Sequence, residues 1–105
     1  MFQTKIVYEG ENLVQMWKQL KDQAFADYCH DQYDKTGLRV IRSVVTELNR
    51  KTVITVWKDK QSFENFCNDP AVKSRRELRK QLLQDYQIVV RKEKKDLTDL
   101  EQMFV

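Results

Sequence analysis

Trp57, Phe66 and Tyr8 have flat faces that can wall an aromatic ligand, and Arg76 or Arg42 carries the charge needed to hold an anionic oxygen beside one. Each also has a plainer role. Trp57 and Phe66 suit a packed core, and Arg76 lies in Lys73-Ser-Arg-Arg-Glu-Leu-Arg-Lys80, a composition common on solvated helix faces. Cys29-His30-Asp31 and Asp34 are metal-capable types. On a helix, however, adjacent side chains point about 100° apart, so they converge on one ion only if the backbone is irregular, and no metal site is expected. Cys67 has no histidine partner in view and reads as a small apolar residue rather than a nucleophile.

These residues need a scaffold, and 105 residues suit one domain with one core. The chain is 41% hydrophobic and 33% charged, with two glycines and one proline, which excludes collagen-like and low-complexity classes. A formal charge of +3, from 19 basic and 16 acidic residues, builds no broad field for a polyanion. No apolar run approaches the roughly 18 residues of a membrane span, and Met-Phe-Gln-Thr-Lys-Ile lacks the apolar core of a signal peptide. Cys29 and Cys67 read as reduced thiols. The expectation is a cytoplasmic protein with no membrane partner.

Phe2 to Glu9 alternates with period two and predicts a strand ended by Gly10. Leu13, Trp17, Leu20, Ala24 and Tyr28 then predict one face of an amphipathic helix, which decays through Cys29 to Thr36 and stops by Gly37. Leu38 to Thr46 and Thr52 to Trp57 predict two strands joined by a polar turn, Glu47 to Lys51. Val40 and Val44, and also Ile41 and Val45, put apolar side chains on both faces. Helices cover only one face of a small open sheet, so the second calls for a partner, and a homodimer is the simplest. Asp59 and Asp69-Pro70 are helix starts, with Phe63, Phe66, Ala71, Leu78 and Leu82 on the apolar side. Tyr86, Ile88 and Val90 predict the last strand. Arg91 to Lys95 reads as a solvated charge run, and the domain is expected to span 1–95 with a tail at 96–105. The order is βαββαβ: an α+β, ferredoxin-like subunit.

The run Thr52-Val-Ile-Thr-Val-Trp57-Lys-Asp-Lys-Gln-Ser-Phe63-Glu-Asn-Phe66 resembles the centre of the antibiotic biosynthesis monooxygenase domain family, and Gly37-Leu-Arg-Val-Ile-Arg-Ser is similar to its second strand. The resemblance covers about Met1 to Lys92 in layout and Gly37 to Leu83 in residue detail. It implies a dimeric α/β barrel in which two sheets pack face to face, each subunit holding a pocket between sheet and helices. It also implies monooxygenation of a small aromatic or quinol-like compound without a bound cofactor. In the family's haem-degrading branch, the strand-one asparagine, a tryptophan and the iron-ligating histidine fall on Gln3, Phe66 and Arg76. Arginine does not ligate iron, and the sole histidine, His30, does not match, so that chemistry is disfavoured. Gln3, Tyr8, Trp57, Phe66 and Arg76 are the ligand-site candidates.

Two other classes compete. RNA-recognition modules share this element order but stack bases on aromatics in a glycine-containing third strand. Here that strand is Lys51 to Trp57, without glycine and with Val, Ile, Thr and Val at its centre, so no nucleic-acid partner is expected. A non-catalytic, ligand-binding or stress-related dimer stays open, because no acid–base pair announces itself.

Overall fold

In the computed structural model, which describes residues 1–97, the elements run β1 (Phe2–Glu9), α1 (Leu13–Leu20), α2 (Gln23–Cys29), a π-helical turn (His30–Asp34), β2 (Arg39–Glu47), β3 (Arg50–Trp57), α3 (Lys60–Asn68), α4 (Pro70–Asp85) and β4 (Val89–Asp96). The four strands form one antiparallel sheet in the order β2-β3-β1-β4. The expected α+β, ferredoxin-like fold is present. The expected tail falls on residues 98–105, outside the described residues, apart from Asp96 at the end of β4 and Leu97, whose N–H donates to the Met1 carbonyl at 3.0 Å.

Five local expectations need correction. The first helix is two. Lys21 is extended, and the Asp22 carboxylate accepts from the Phe25 N–H at 3.0 Å, starting α2 afresh. The change of direction leaves Ala24 exposed and buries Cys29, while Leu13, Met16 and Leu20 form the buried face of α1. The polar stretch beyond Cys29 stays helical as a π turn closed by Lys35 N–H to the His30 carbonyl (2.9 Å), and Gly37, at φ +76°, then turns the chain. The β2–β3 turn is only Leu48-Asn49, because Glu47 pairs with Arg50.

On α4 the predicted line of Ala71, Leu78 and Leu82 is out of phase except at Leu82, which packs against the core. Ala71 and Leu78 are exposed, and Val72 is the buried residue. The inner face runs Val72, Arg76, Arg79, Leu83, so arginines occupy positions that an apolar pattern would miss. Finally, Tyr86 closes α4, Gln87 turns at φ +56°, and Arg91 to Lys95 is the body of β4, paired residue by residue with β1. As an edge strand with its flanks in solvent, β4 tolerates this charge density.

Asp59 and Asp69 cap as expected. Asp59 accepts from the Ser62 N–H and hydroxyl, both at 2.7 Å; Asp69 accepts from the Ala71 N–H at 2.9 Å with Pro70 in the first turn.

The register assigns each side chain to a face. Phe2, Thr4, Ile6 and Tyr8 of β1 face the helices with Trp57, Thr55, Val53 and Lys51 of β3. In β2, Arg39 pairs with Trp57 but Ile41 with Val56, so Val40 is an extra residue in a bulge. The bulge puts Arg39 and Arg42 on the same, helix-facing side although they are three residues apart. Among the described residues no helix covers the opposite face, which carries Gln3, Val7, Ile41, Val45, Ile54, Val56 and Val89.

Candidate site: a cationic layer between sheet and helix

Two apolar clusters form on the helix side of the sheet. One centres on Tyr8, Leu13, Met16, Leu20, Val53 and Ile88; the other on Phe2, Cys29, Tyr33 and Trp57. In the second, Trp57 meets Phe66 (ring centroids 4.8 Å apart), Phe63 (5.9 Å) and Tyr33 (6.2 Å). In the first, Tyr8 stands edge-on to Trp17 at 5.3 Å.

Between the clusters the register places a polar row: Arg42 on β2, Thr55 on β3, Thr4 on β1 and Lys94 on β4. Thr4 and Thr55 are buried. Lys92 lies one row further along β4, level with Ile6. Above the sheet, α4 contributes Arg76 and Arg79, both half-buried on the face that also carries Val72.

The charges act on one another. Burial raises the Tyr8 phenol, while Arg79 and Arg42 pull it back toward its ordinary value. Burial lowers Lys92, and Arg79, Arg76 and Lys94 push it the same way. Burial also lowers Arg42, helped by Arg39. Arg39 is neutralised in place by a two-pronged pair with Asp34 (2.6 and 3.1 Å), which holds the Asp34 carboxyl below the usual range. Arg76 donates to the Cys67 carbonyl at 3.1 Å. Among the described residues, no carboxylate forms an ion pair with Arg42, Arg76, Arg79 or Lys92. The layer opens at β2, where Arg42, Val44 and Thr46 are exposed although Val53 and Thr55 beside them are buried.

The structure groups the predicted site residues unevenly. Trp57 and Phe66 stand together on one side of the layer, Tyr8 on the other, and Arg76 lies on the α4 face that spans it. Gln3 faces away, on the uncovered side of the sheet between Val56 and Lys95. Trp57, only 2% exposed, is packed as a core residue, yet its indole Nε1–H has no hydrogen-bond partner among the described residues. Arg79, Lys92, Thr4 and Thr55 were missed. A three-residue step from Arg76 and a two-residue step from Val90 would have found the two cations.

The remaining chemistry-bearing groups lie apart. Burial pushes the Cys29 thiol up, which keeps it protonated and unreactive at neutral pH. His30 is exposed and pairs with Asp34 at 3.3 Å. Two surface grooves lie elsewhere: about 220 Å³ on the uncovered face, among Lys5, Val7, Arg50, Thr52, Arg91 and Glu93, and about 210 Å³ between α1 and the β2–β3 hairpin.

One antiparallel sheet, two helical crossovers on a single face and a polar layer beneath α4 define a ferredoxin-like α+β protein. Its fold is similar to that of solved structures assigned as antibiotic biosynthesis monooxygenases. The chain is similar to a Deinococcus radiodurans protein assigned as an antibiotic biosynthesis monooxygenase (TM-score 0.64, 10% identity, 91% of each chain covered). It is also similar to a Nitrosomonas europaea protein assigned in the same way (TM-score 0.57, 10% identity, 91% of this chain and 97% of that one). A third similar structure is a dimeric ferredoxin-like protein from an uncultured marine organism (TM-score 0.53, 17% identity, 90% and 92% covered). No family model and no curated protein matches the sequence. At these identities the likeness is one of fold.

Proposed function

We propose that the chain acts as a homodimer that closes its two uncovered sheet faces into a barrel, and that it oxygenates a small aromatic or quinol-like compound in the layer beneath α4. The observation carrying this reading is the polar, cationic layer set between the Trp57–Phe66 and Tyr8–Trp17 aromatic groups. A substrate that reacts with oxygen unaided must supply the electrons itself. It does so best as an anion, whose charge Arg42, Arg76 and Arg79 would hold. The similar fold of a dimeric ferredoxin-like protein supports the assembly, as do Ile41, Val45 and Val89 on the uncovered face, each more than half exposed. Haem does not fit the residues: Arg76 stands at the position aligned with the iron ligand and is engaged with the Cys67 carbonyl, while His30 is exposed beside Asp34.

One observation favours a second reading, in which the layer binds without turnover. Among the described residues no carboxylate pairs with its cations and the histidine lies elsewhere, so Tyr8 is the titratable neutral group beside them. Oxygen uptake across a panel of hydroquinones and anthrones separates the two. Turnover above the buffer rate supports oxygenation, and none across the panel leaves the binding role.

A further inference from the structure

We infer that the layer beneath α4 is a binding site for an organic anion, a small molecule with a permanent carboxylate and an aromatic body. This deepens the proposed function, since it uses the same site, but it rests on a different observation: the layer's uncompensated charge. Arg42, Arg76, Arg79 and Lys92 enter from three separate elements, β2, α4 and β4, on the helix side of the sheet, with Lys92 one row along from Arg42. Like charges gathered against buried residues oppose folding unless something answers them. Elsewhere in this chain something does. Asp34 pairs with Arg39, Glu9 with both Arg50 (3.6 Å) and Arg91, and Asp22 with Arg75 (3.8 Å). The four cations of the layer have no such carboxylate among the described residues.

The neutral groups of the layer complete a recognition set. The buried hydroxyls of Thr4 and Thr55 line its floor and can donate to an anion's oxygens. Trp57, two residues along β3 from Thr55, carries the buried indole N–H that has no partner among the described residues. The aromatic groups on either side provide apolar surface for the body of the ligand, and the exposed Arg42 edge gives an entrance where a charged ligand is met by a charge of opposite sign. A neutral quinol would leave the four cations as they are, whereas a carboxylate would answer them.

The test is calorimetric titration of the full chain with 2-naphthoate and, as a neutral isostere, 2-naphthamide. The acid is expected to bind about tenfold or more tightly than the amide at low salt, with the difference shrinking as ionic strength rises. Arg79→Gln should weaken the acid by about tenfold and leave the amide nearly unchanged, while Lys80→Gln, on the exposed side of α4, should change neither. Lys92→Met replaces an exposed edge-strand ammonium with an apolar chain, so it should fold even where Arg79→Gln does not, and should also weaken the acid. Equal binding of acid and amide, binding of neither, or undiminished acid affinity in both layer variants would overturn the inference. Preference for the acid without oxygen uptake on any substrate removes oxygenation and leaves the anion site. Turnover of neutral hydroquinones without that preference does the reverse.

Discussion

The Tyr33 hydroxyl donates to Asp69 Oδ2 at 2.5 Å, tying the π turn after α2 to the start of α4 across 36 residues of chain. Tyr28 donates to the same oxygen at 2.5 Å, and Oδ1 accepts from the Ala71 N–H. Desolvation pushes the Asp69 carboxyl up, but these hydrogen bonds outweigh it and hold the group below the usual carboxylate range. One aspartate thus caps α4 and anchors the preceding crossover.

Tyr33→Phe is expected to lower stability by about 1–3 kcal/mol in urea unfolding, the range for a hydrogen bond to a charged acceptor. The pH dependence has a definite sign. With its pKa depressed in the folded state, Asp69 contributes stability that is full above the unfolded value of about 3.9 and is lost as pH falls through the folded pKa. Asp69→Asn should therefore destabilise the protein at pH 7 and make the acid limb of the stability curve shallower. An unchanged acid limb would contradict the assignment.

Lys92 works in the opposite sense. Its folded-state pKa lies below the ordinary lysine value, so at neutral pH, where both states bind the proton, it opposes folding in full. That opposition fades as pH rises through the folded pKa toward about 10.4. Lys92→Met should stabilise the protein at pH 7, and the difference from the parent should narrow by pH 10. Urea midpoints measured at both pH values decide this; a difference that does not narrow would count against a desolvated Lys92.

Gly10 is set by packing. A Cβ there would stand 2.6 Å from Ile88 Cδ1, so the buried Ile88 must move to admit it. Gly10→Ala should cost about 1–2 kcal/mol, in the range for overpacking. Ile88→Val removes the offending methyl, so the double variant should be more stable than the sum of the single effects predicts. Simple additivity in the cycle would locate the cost elsewhere.

The dimer is tested on the uncovered face. Val45→Glu places a charge on an exposed side chain, so the monomer should keep its fold while self-association weakens. Sedimentation equilibrium at micromolar concentration should give twice 12.7 kDa for the parent and 12.7 kDa for the variant. A parent of 12.7 kDa would remove the barrel from the proposal.

What the sequence disclosed depended on which residues fill the inward positions. β1 was legible to the residue because Phe2, Thr4, Ile6 and Tyr8 alternate against polar neighbours, and both aspartate caps were legible because their chemistry is local. The inner face of α4 and the charged body of β4 beyond Val90 were not. Arg76, Arg79 and Lys92 occupy inward positions, and a pattern that equates inward with apolar assigns them to solvent. The charges that hid these elements are also the ones that form the candidate site. Trp57 and Phe66 were found together, Tyr8 was found on the far side of the layer, and Gln3 was named on the wrong side of the sheet to meet them within one chain.

The bulge at Val40 makes the arrangement sensitive to residue count rather than residue type. Side chains in a strand alternate, so Arg39 and Arg42 share a side only because one unpaired residue separates them from regular alternation. Inserting one paired residue between Arg39 and Val40, while keeping the bulge and the pairing beyond Ile41, would turn Arg39 to the opposite side and part it from Asp34, with no charged residue altered. Within a lineage, a single-codon insertion at this position would re-address the charge of β2, whereas loss of Val40 would leave both arginines facing the helices and substitution at Arg39 or Arg42 could only remove a charge.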